Sequence, residues 1–237
     1  PRRMINLKYF FKGILCAKEF DSPAVALGLS FLAIGALLKN LEFTLQESIF
    51  STFLIYALPG SLVMAESVLI GVSLLNLFFA VWLVNARLYP MTVSLMPLLM
   101  HKSQPRWKYY LSCHFVAVSS WLIIKSKYKF VEKKFRIDFW IGIGTATWLI
   151  AIFSTILGYF LANFINRDMM IALAIINPIY FTCTMIGAMK SFQLVVSIIL
   201  GATLGPLFYL ISPDWCILIG GFIAGTFAFI IGEKNVS

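Results

Sequence analysis

Nine stretches of the chain carry no Asp, Glu, Lys or Arg: 22–38, 48–65, 67–86, 88–101, 109–124, 139–166, 169–189, 191–213 and 215–232. A hydrocarbon core about 30 Å thick takes roughly 20 apolar residues in a helix, with about 17 as the lower bound. Seven of the nine stretches reach that bound, while 88–101 and 109–124 fall short. Runs such as Ser191–Ile211 show none of the polar–apolar alternation of a membrane strand. The pattern therefore predicts an all-α, polytopic integral membrane protein of about seven or eight transmembrane helices, some broken or re-entrant. Four places invite a break: Pro59-Gly60-Ser61, Asn85-Ala86-Arg87 with Pro90, Pro97, and Asn177-Pro178. Proline removes a helix hydrogen bond, and non-helical backbone at membrane depth survives only against protein or a water-filled cavity. The expected layout is a basic cytoplasmic or interfacial segment at 1–21, one transmembrane transporter domain at 22–232, and a short cytoplasmic tail at 233–237.

Composition closes off the soluble alternative. Of 237 residues, 60% are apolar and only 12% charged, against about 25% charged in soluble domains. The net charge of +9 does not point to nucleic acid, because the basic residues sit at the ends of the apolar stretches and form no single basic face. Arg2, Arg3, Lys8, Lys12 and Lys18 crowd the N-terminus, and Lys125–Arg136 crowd one loop, as cytoplasmic loops do under the positive-inside rule. Both termini are thus expected inside the cytoplasmic membrane. Two arrangements of the short stretches compete. In one, 109–124 crosses and Lys102, Arg106 and Lys108 lie outside. In the other, 88–101 crosses, 109–124 dips in and returns, and those three residues join the interior. Charge favours the second; the 14-residue length of 88–101 disfavours it. The four cysteines (Cys16, Cys113, Cys183, Cys216) show no C-x-x-C, so no metal site, cofactor or disulfide framework is indicated.

Arg87 is the only basic residue between Lys39 and Lys102. A charge so placed either faces a cavity or partner, or snorkels to headgroups; a guanidinium in a cavity suits a carboxylate bidentately. Asn85, Pro59, Gly60, Ser61, Tyr89, Pro90, Asn177 and Pro178 accompany the breaks and make up the candidate translocation path. Glu66 reads as a tight turn or as a buried acid, and His114 as an interior histidine or as a proton relay; these two are the candidates for proton coupling. Gly201, Gly205, Gly221 and Gly225 form small-xxx-small repeats that let helices or a partner approach closely. No enzyme signature is present: Gly142-Ile143-Gly144 lacks the third glycine and the preceding strand of a dinucleotide site. The expectation is a non-enzyme.

Leu83-Val84-Asn85-Ala86-Arg87-Leu88-Tyr89-Pro90 through Ser94-Leu95-Met96-Pro97 resembles the Leu-Val-Asn-x-Arg segment of the AzlC family. Ser22-Pro23 with Gly35-Ala36-Leu37, the run Phe43–Ser48, and Asn177-Pro178 resemble other parts of its pattern. The chain departs where Gly60-Ser61 replaces a usual glutamine and Ser112-Cys113-His114 replaces a Thr-Asp-Glu stretch. The resemblance implies the large subunit of a branched-chain amino-acid exporter, a permease working with a small AzlD-type membrane subunit in the bilayer of the bacterial inner membrane. It makes Asn85 and Arg87 the foremost candidates for the translocation site. The alternatives are a non-transporting scaffold subunit and a small-solute channel.

Overall fold

The computed structural model describes residues 5–18, 23–164, 192–211 and 216–234, with isolated positions between 166 and 186. Every described element is helical. The chain divides into two compact units, Pro1–Pro178 and Ile179–Ser237. In the first, α1 spans Leu7–Ala17, α2 Pro23–Asn40, α3 Leu45–Leu54, α4 Leu58–Leu69, α5 Leu74–Asn85 and α6 Leu88–Leu99. It continues with α7 at Arg106–Ser112, α8 at Val118–Lys127 and α9 at Arg136–Leu161. The second holds α10 at Phe192–Ile211 and α11 at Cys216–Lys234.

Helix α9 is the post around which the first unit is built. Its 26 residues make about 39 Å of helix, and α1, α2, α3, α6, α7 and α8 all pack on it. Glycines permit the closest approaches. Gly13 lies on the Phe139 backbone and Gly142 on that of Phe10, which seats α1; Gly35 lies on the Thr155 backbone and Gly158 on that of Leu32, which seats α2. Helix α2 runs parallel to α9, since Gly28 meets Ile150 and Lys39 meets Tyr159.

The segments between α2 and α9 are shorter than the charge-free stretches predict. The stretch 48–65 divides at Ile55–Ala57, and 67–86 divides at Ile70–Ser73, where Gly71 has φ +69°. Among the described residues, two helices are long and apolar enough to cross a membrane, Pro23–Asn40 and the one ending at Leu161; the pair α5–α6, bent by 48°, makes a third. Counting charges alone overlooks two helix stops: a left-handed glycine, and Pro59, which begins a new helix within the stretch.

The resulting order is span, hairpin, broken span, hairpin, span. Helix α3 starts beside the C-terminal end of α9, where the Tyr159 hydroxyl donates to the Phe43 carbonyl at 3.0 Å, and descends until Trp148 Nε1 donates to the Phe53 carbonyl at 3.3 Å. After the break, α4 returns and packs against α5. Helices α5 and α6 then run to the opposite, basic end, where Arg136 donates to the Leu98 carbonyl. From that end α7 dips inward and α8 comes back. Lys108 Nζ donates to Asp138 Oδ1 at 2.6 Å, and Gln104 Nε2 to the Lys134 carbonyl at 2.8 Å. These contacts put 102–108 and 132–138 at one end of the bundle. The arrangement in which 109–124 crosses to the other end is incompatible with them; 109–124 enters and leaves by the same end.

Candidate functional site

The two hairpins enter from opposite ends and their tips meet near the middle of α9. The ring of Tyr56 at the first tip lies 6.4 Å from that of His114 at the second, and His114 lies 6.0 Å from Trp148, which stands halfway along α9. Each tip is followed by a helix whose N-terminus starts at this depth: α4 after Ala57 and α8 after Ala117. In both, a serine of the first turn ties off the tip's carbonyls. Ser61 Oγ lies 3.2 Å from the carbonyls of Ile55 and Ala57; Ser120 Oγ lies 2.7 Å from that of Phe115 and 3.0 Å from that of Ala117. The Ala117 N–H donates back to Ser120 Oγ at 3.0 Å.

Against these satisfied acceptors stands a set of buried polar atoms with no hydrogen-bond partner among the described residues: the hydroxyls of Ser30, Tyr56 and Ser119, Asn85 Oδ1 and Arg87 Nε. Tyr56 is 5% exposed and Ser119 1%. The Tyr56 hydroxyl faces Thr147, whose own hydroxyl gives its proton to the carbonyls of Ile143 and Gly144 and keeps its lone pairs toward the tyrosine. A buried hydroxyl without a partner costs on the order of 1–3 kcal/mol, so each of these atoms is open to a ligand that can reach it.

The structure brings some predicted residues together and separates others. Asn85 closes α5 directly against Gly60; a Cβ on Gly60 would lie 2.6 Å from Asn85 Nδ2. Pro59, Gly60 and Ser61 form the first turn of α4, and Arg87 follows Asn85 at the kink before α6. Tyr89 and Pro90, on the first turn of α6, are exposed and stand apart from this cluster. Glu66 is exposed on α4, so it is neither a turn residue nor a buried acid. His114 is exposed, with its ring among Tyr56, Phe115 and Trp148. Asn177 and Pro178 lie outside the described residues. In the second unit, a side chain on Gly201, Gly205, Gly221 or Gly225 would meet open space. The buried stripe of α11 is instead Gly220–Ala224–Ala228, one position away, where a Cβ on Gly220 would lie 3.5 Å from the Gly205 backbone.

Sequence reasoning missed Tyr56 and Ser119. The signal available was the small-residue run Ala117-Val118-Ser119-Ser120 inside a stretch already too short to span. A helix beginning there, at depth, leaves first-turn N–H groups without intrahelical acceptors.

A model of the AzlC protein family matches residues 22–165. Neither a curated protein nor a solved structure gives a match. The matched region runs from the residue before α2 to just past α9, so it takes in both hairpins and the kink at Asn85–Arg87. On that match over more than half its length, this all-helical membrane protein belongs to the AzlC family of transport proteins.

Proposed function

We propose that the chain is a secondary transporter exporting small amino acids, branched-chain ones foremost, across the bacterial cytoplasmic membrane. It works as a permease rather than an enzyme and with a small AzlD-type subunit. In this reading seven or eight segments enter the bilayer, the α3–α4 and α7–α8 hairpins from opposite faces. The basic end of the first unit faces the cytoplasm, in keeping with the positive-inside rule, and both termini are assigned to the same side of the membrane.

The observation that carries the reading is the kink at Asn85–Arg87. There a guanidinium and an amide have buried atoms that no described protein group satisfies, and the amide lies beside the start of α4, at Gly60. Broken helices with free N-termini are how transporters receive anionic groups. In this assignment Arg87 and the first turn of α4 take a carboxylate, Asn85 Oδ1 takes an ammonium, and the apolar walls around Ile55, Leu58 and Val81 take an isobutyl-sized side chain. Orientation by a few polar groups within an apolar pocket is the usual division of labour.

The test is counterflow of labelled leucine in proteoliposomes holding the purified chain, with and without the small subunit. Saturable counterflow is expected, and it is abolished by Arg87→Gln in protein that still inserts and elutes as one species. Leucine exchange unaltered by that substitution refutes the assignment. Silence of the wild type in both preparations supports a scaffold, and unsaturable flux a channel.

A further inference from the structure

We infer that the outer face of α1 binds an anionic phospholipid of the leaflet at the basic end. Lys8, Lys12 and Lys134 engage its headgroup, and Leu7, Phe11 and Leu15 lie along an acyl chain. The inference goes beyond the transport reading and uses none of its site residues.

The direction of α1 sets which end of the lipid lies where. Tyr9 stacks on Phe135, ring centroids 4.4 Å apart, while Gly13 lies on the backbone between Phe139 and Ile143. Helix α1 therefore runs alongside α9 in the same direction, with its N-terminus at the basic end. Its two faces differ in kind. Gly13 and Ala17 are buried, whereas Leu7, Phe11 and Leu15, one turn apart, are 64%, 56% and 66% exposed. Lys8 and Lys12 are exposed beside them. Counted round the helix at about 100° per residue, the order from Gly13 is Tyr9, Lys12, Lys8, then Leu15, Phe11 and Leu7. The two lysines thus stand between the apolar stripe and the Tyr9–Phe135 stack. That stack brings in Lys134, whose Nζ lies 5.3 Å from the Phe135 ring centroid.

None of these three ammoniums has an ion-pair partner among the described residues, where the one pair is Lys108–Asp138. Glu132, the acid nearest Lys134 in the chain, has Lys133 beside it. Unneutralised ammoniums attract an anion, and the stripe next to them takes hydrocarbon. A free phosphate would satisfy only the first, and a neutral lipid only the second. Cα–Cβ bonds tilt toward a helix N-terminus, so Lys8 and Lys12 lean toward the basic end while the stripe descends from it. That is the polarity of a phospholipid with its headgroup at this end of the bundle. A lysine near an anionic lipid surface strengthens binding about fivefold.

The test is a lipid titration of the purified, detergent-solubilised full chain read by native mass spectrometry. It compares phosphatidylglycerol with phosphatidylcholine of identical acyl chains. One phosphatidylglycerol is expected to be held on the order of a hundredfold more tightly, from three lysines at about fivefold each. Lys8→Gln/Lys12→Gln should weaken it about 25-fold and leave phosphatidylcholine unchanged, whereas Phe11→Ser should weaken both lipids alike. Lys102→Gln/Arg106→Gln removes the same charge from the α7 side of the basic end and should leave the tight lipid in place. All these positions are exposed, so helicity and elution should not change. Equal affinity for the two lipids, binding untouched by Lys8→Gln/Lys12→Gln, or an equal loss on Lys102→Gln/Arg106→Gln overturns the inference. Displacement of the lipid by millimolar inorganic phosphate does so too, since the site would then be one for a free anion. Lipid binding and leucine counterflow are separate readouts, so either reading can fall alone.

Discussion

Replacing Lys108 by Met tests the placement of the second hairpin. Lys108 and Asp138 are 0% and 1% exposed, with Nζ and Oδ1 2.6 Å apart. Gln104 supports the pair, accepting from Nζ at 3.0 Å while its own amide donates to the Lys134 carbonyl. Removing one member of such a pair leaves a buried, uncompensated charge, at a cost of about 3–5 kcal/mol. At roughly 2–4 °C per kcal/mol for a chain of this size, Lys108→Met should lower the midpoint of thermal unfolding by on the order of 10 °C. The double variant Lys108→Met/Asp138→Leu removes both charges and fills the space with apolar volume, so it should return to within about 1 kcal/mol of the parent. The free energies are read by SDS titration of the detergent-solubilised protein, followed by far-ultraviolet circular dichroism. A strongly non-additive cycle is the expected result. Additive losses, or a Lys108→Met protein as stable as the parent, would show that these side chains do not meet in the bundle, and the entry and return of 109–124 by one end would lose its main support.

Three further outcomes follow from the packing, the caps and the topology. Gly158→Leu must push the α2 backbone at Leu32 away from α9, costing at least about 1–3 kcal/mol; Gly221→Ala meets nothing within 4 Å and should gain up to about 1 kcal/mol in helix propensity, both measured by the same SDS titration. The Glu47 carboxylate accepts from the Thr44 N–H and hydroxyl, each at 2.8 Å, and these bonds hold it below the usual carboxylate range. The cap's contribution is therefore complete above that range and lost as pH falls through the lowered value; a carbon-13 titration should place Glu47 below a random-coil glutamate, and Thr44→Val should raise it. With the four native cysteines replaced, Ser103→Cys and Ser126→Cys should both react with an impermeant maleimide from the same side of sealed vesicles; labelling from opposite sides contradicts the hairpin.

The sequence revealed the all-helical membrane class and the breaks at Pro59 and at Asn85–Arg87, because proline, glycine and an isolated arginine are local marks that need no partner to be read; the break expected at Pro97 is absent, since α6 runs through it. It also held the two rival routes for 109–124, but could not choose, since the choice rests on Lys108 meeting a residue 30 positions later. Span counting failed at 48–65 and 67–86 for a related reason: absence of charge measures compatibility with lipid, whereas Gly71 and Pro59 decide where a helix stops. Arg87 and Asn85 stood out by type. Tyr56 and Ser119 did not, because a tyrosine and a serine in apolar sequence are unremarkable until their hydroxyls are seen buried without partners. The shift from Gly221–Gly225 to Gly220–Ala224–Ala228 has the same origin: a spacing rule gives the period of a contact stripe but not its phase.

The central position of α9 bears on how the molecule is made. Everything it braces is synthesised before it, so Lys108 leaves the ribosome 30 residues ahead of the aspartate that neutralises it, an interval of roughly 1.5–6 s at 5–20 residues per second. A lone ammonium is a poor passenger for hydrocarbon over that time. The α7–α8 segment must therefore wait at the surface and enter together with α9, so that the first unit is completed by a concerted insertion, before α10 and α11 are made.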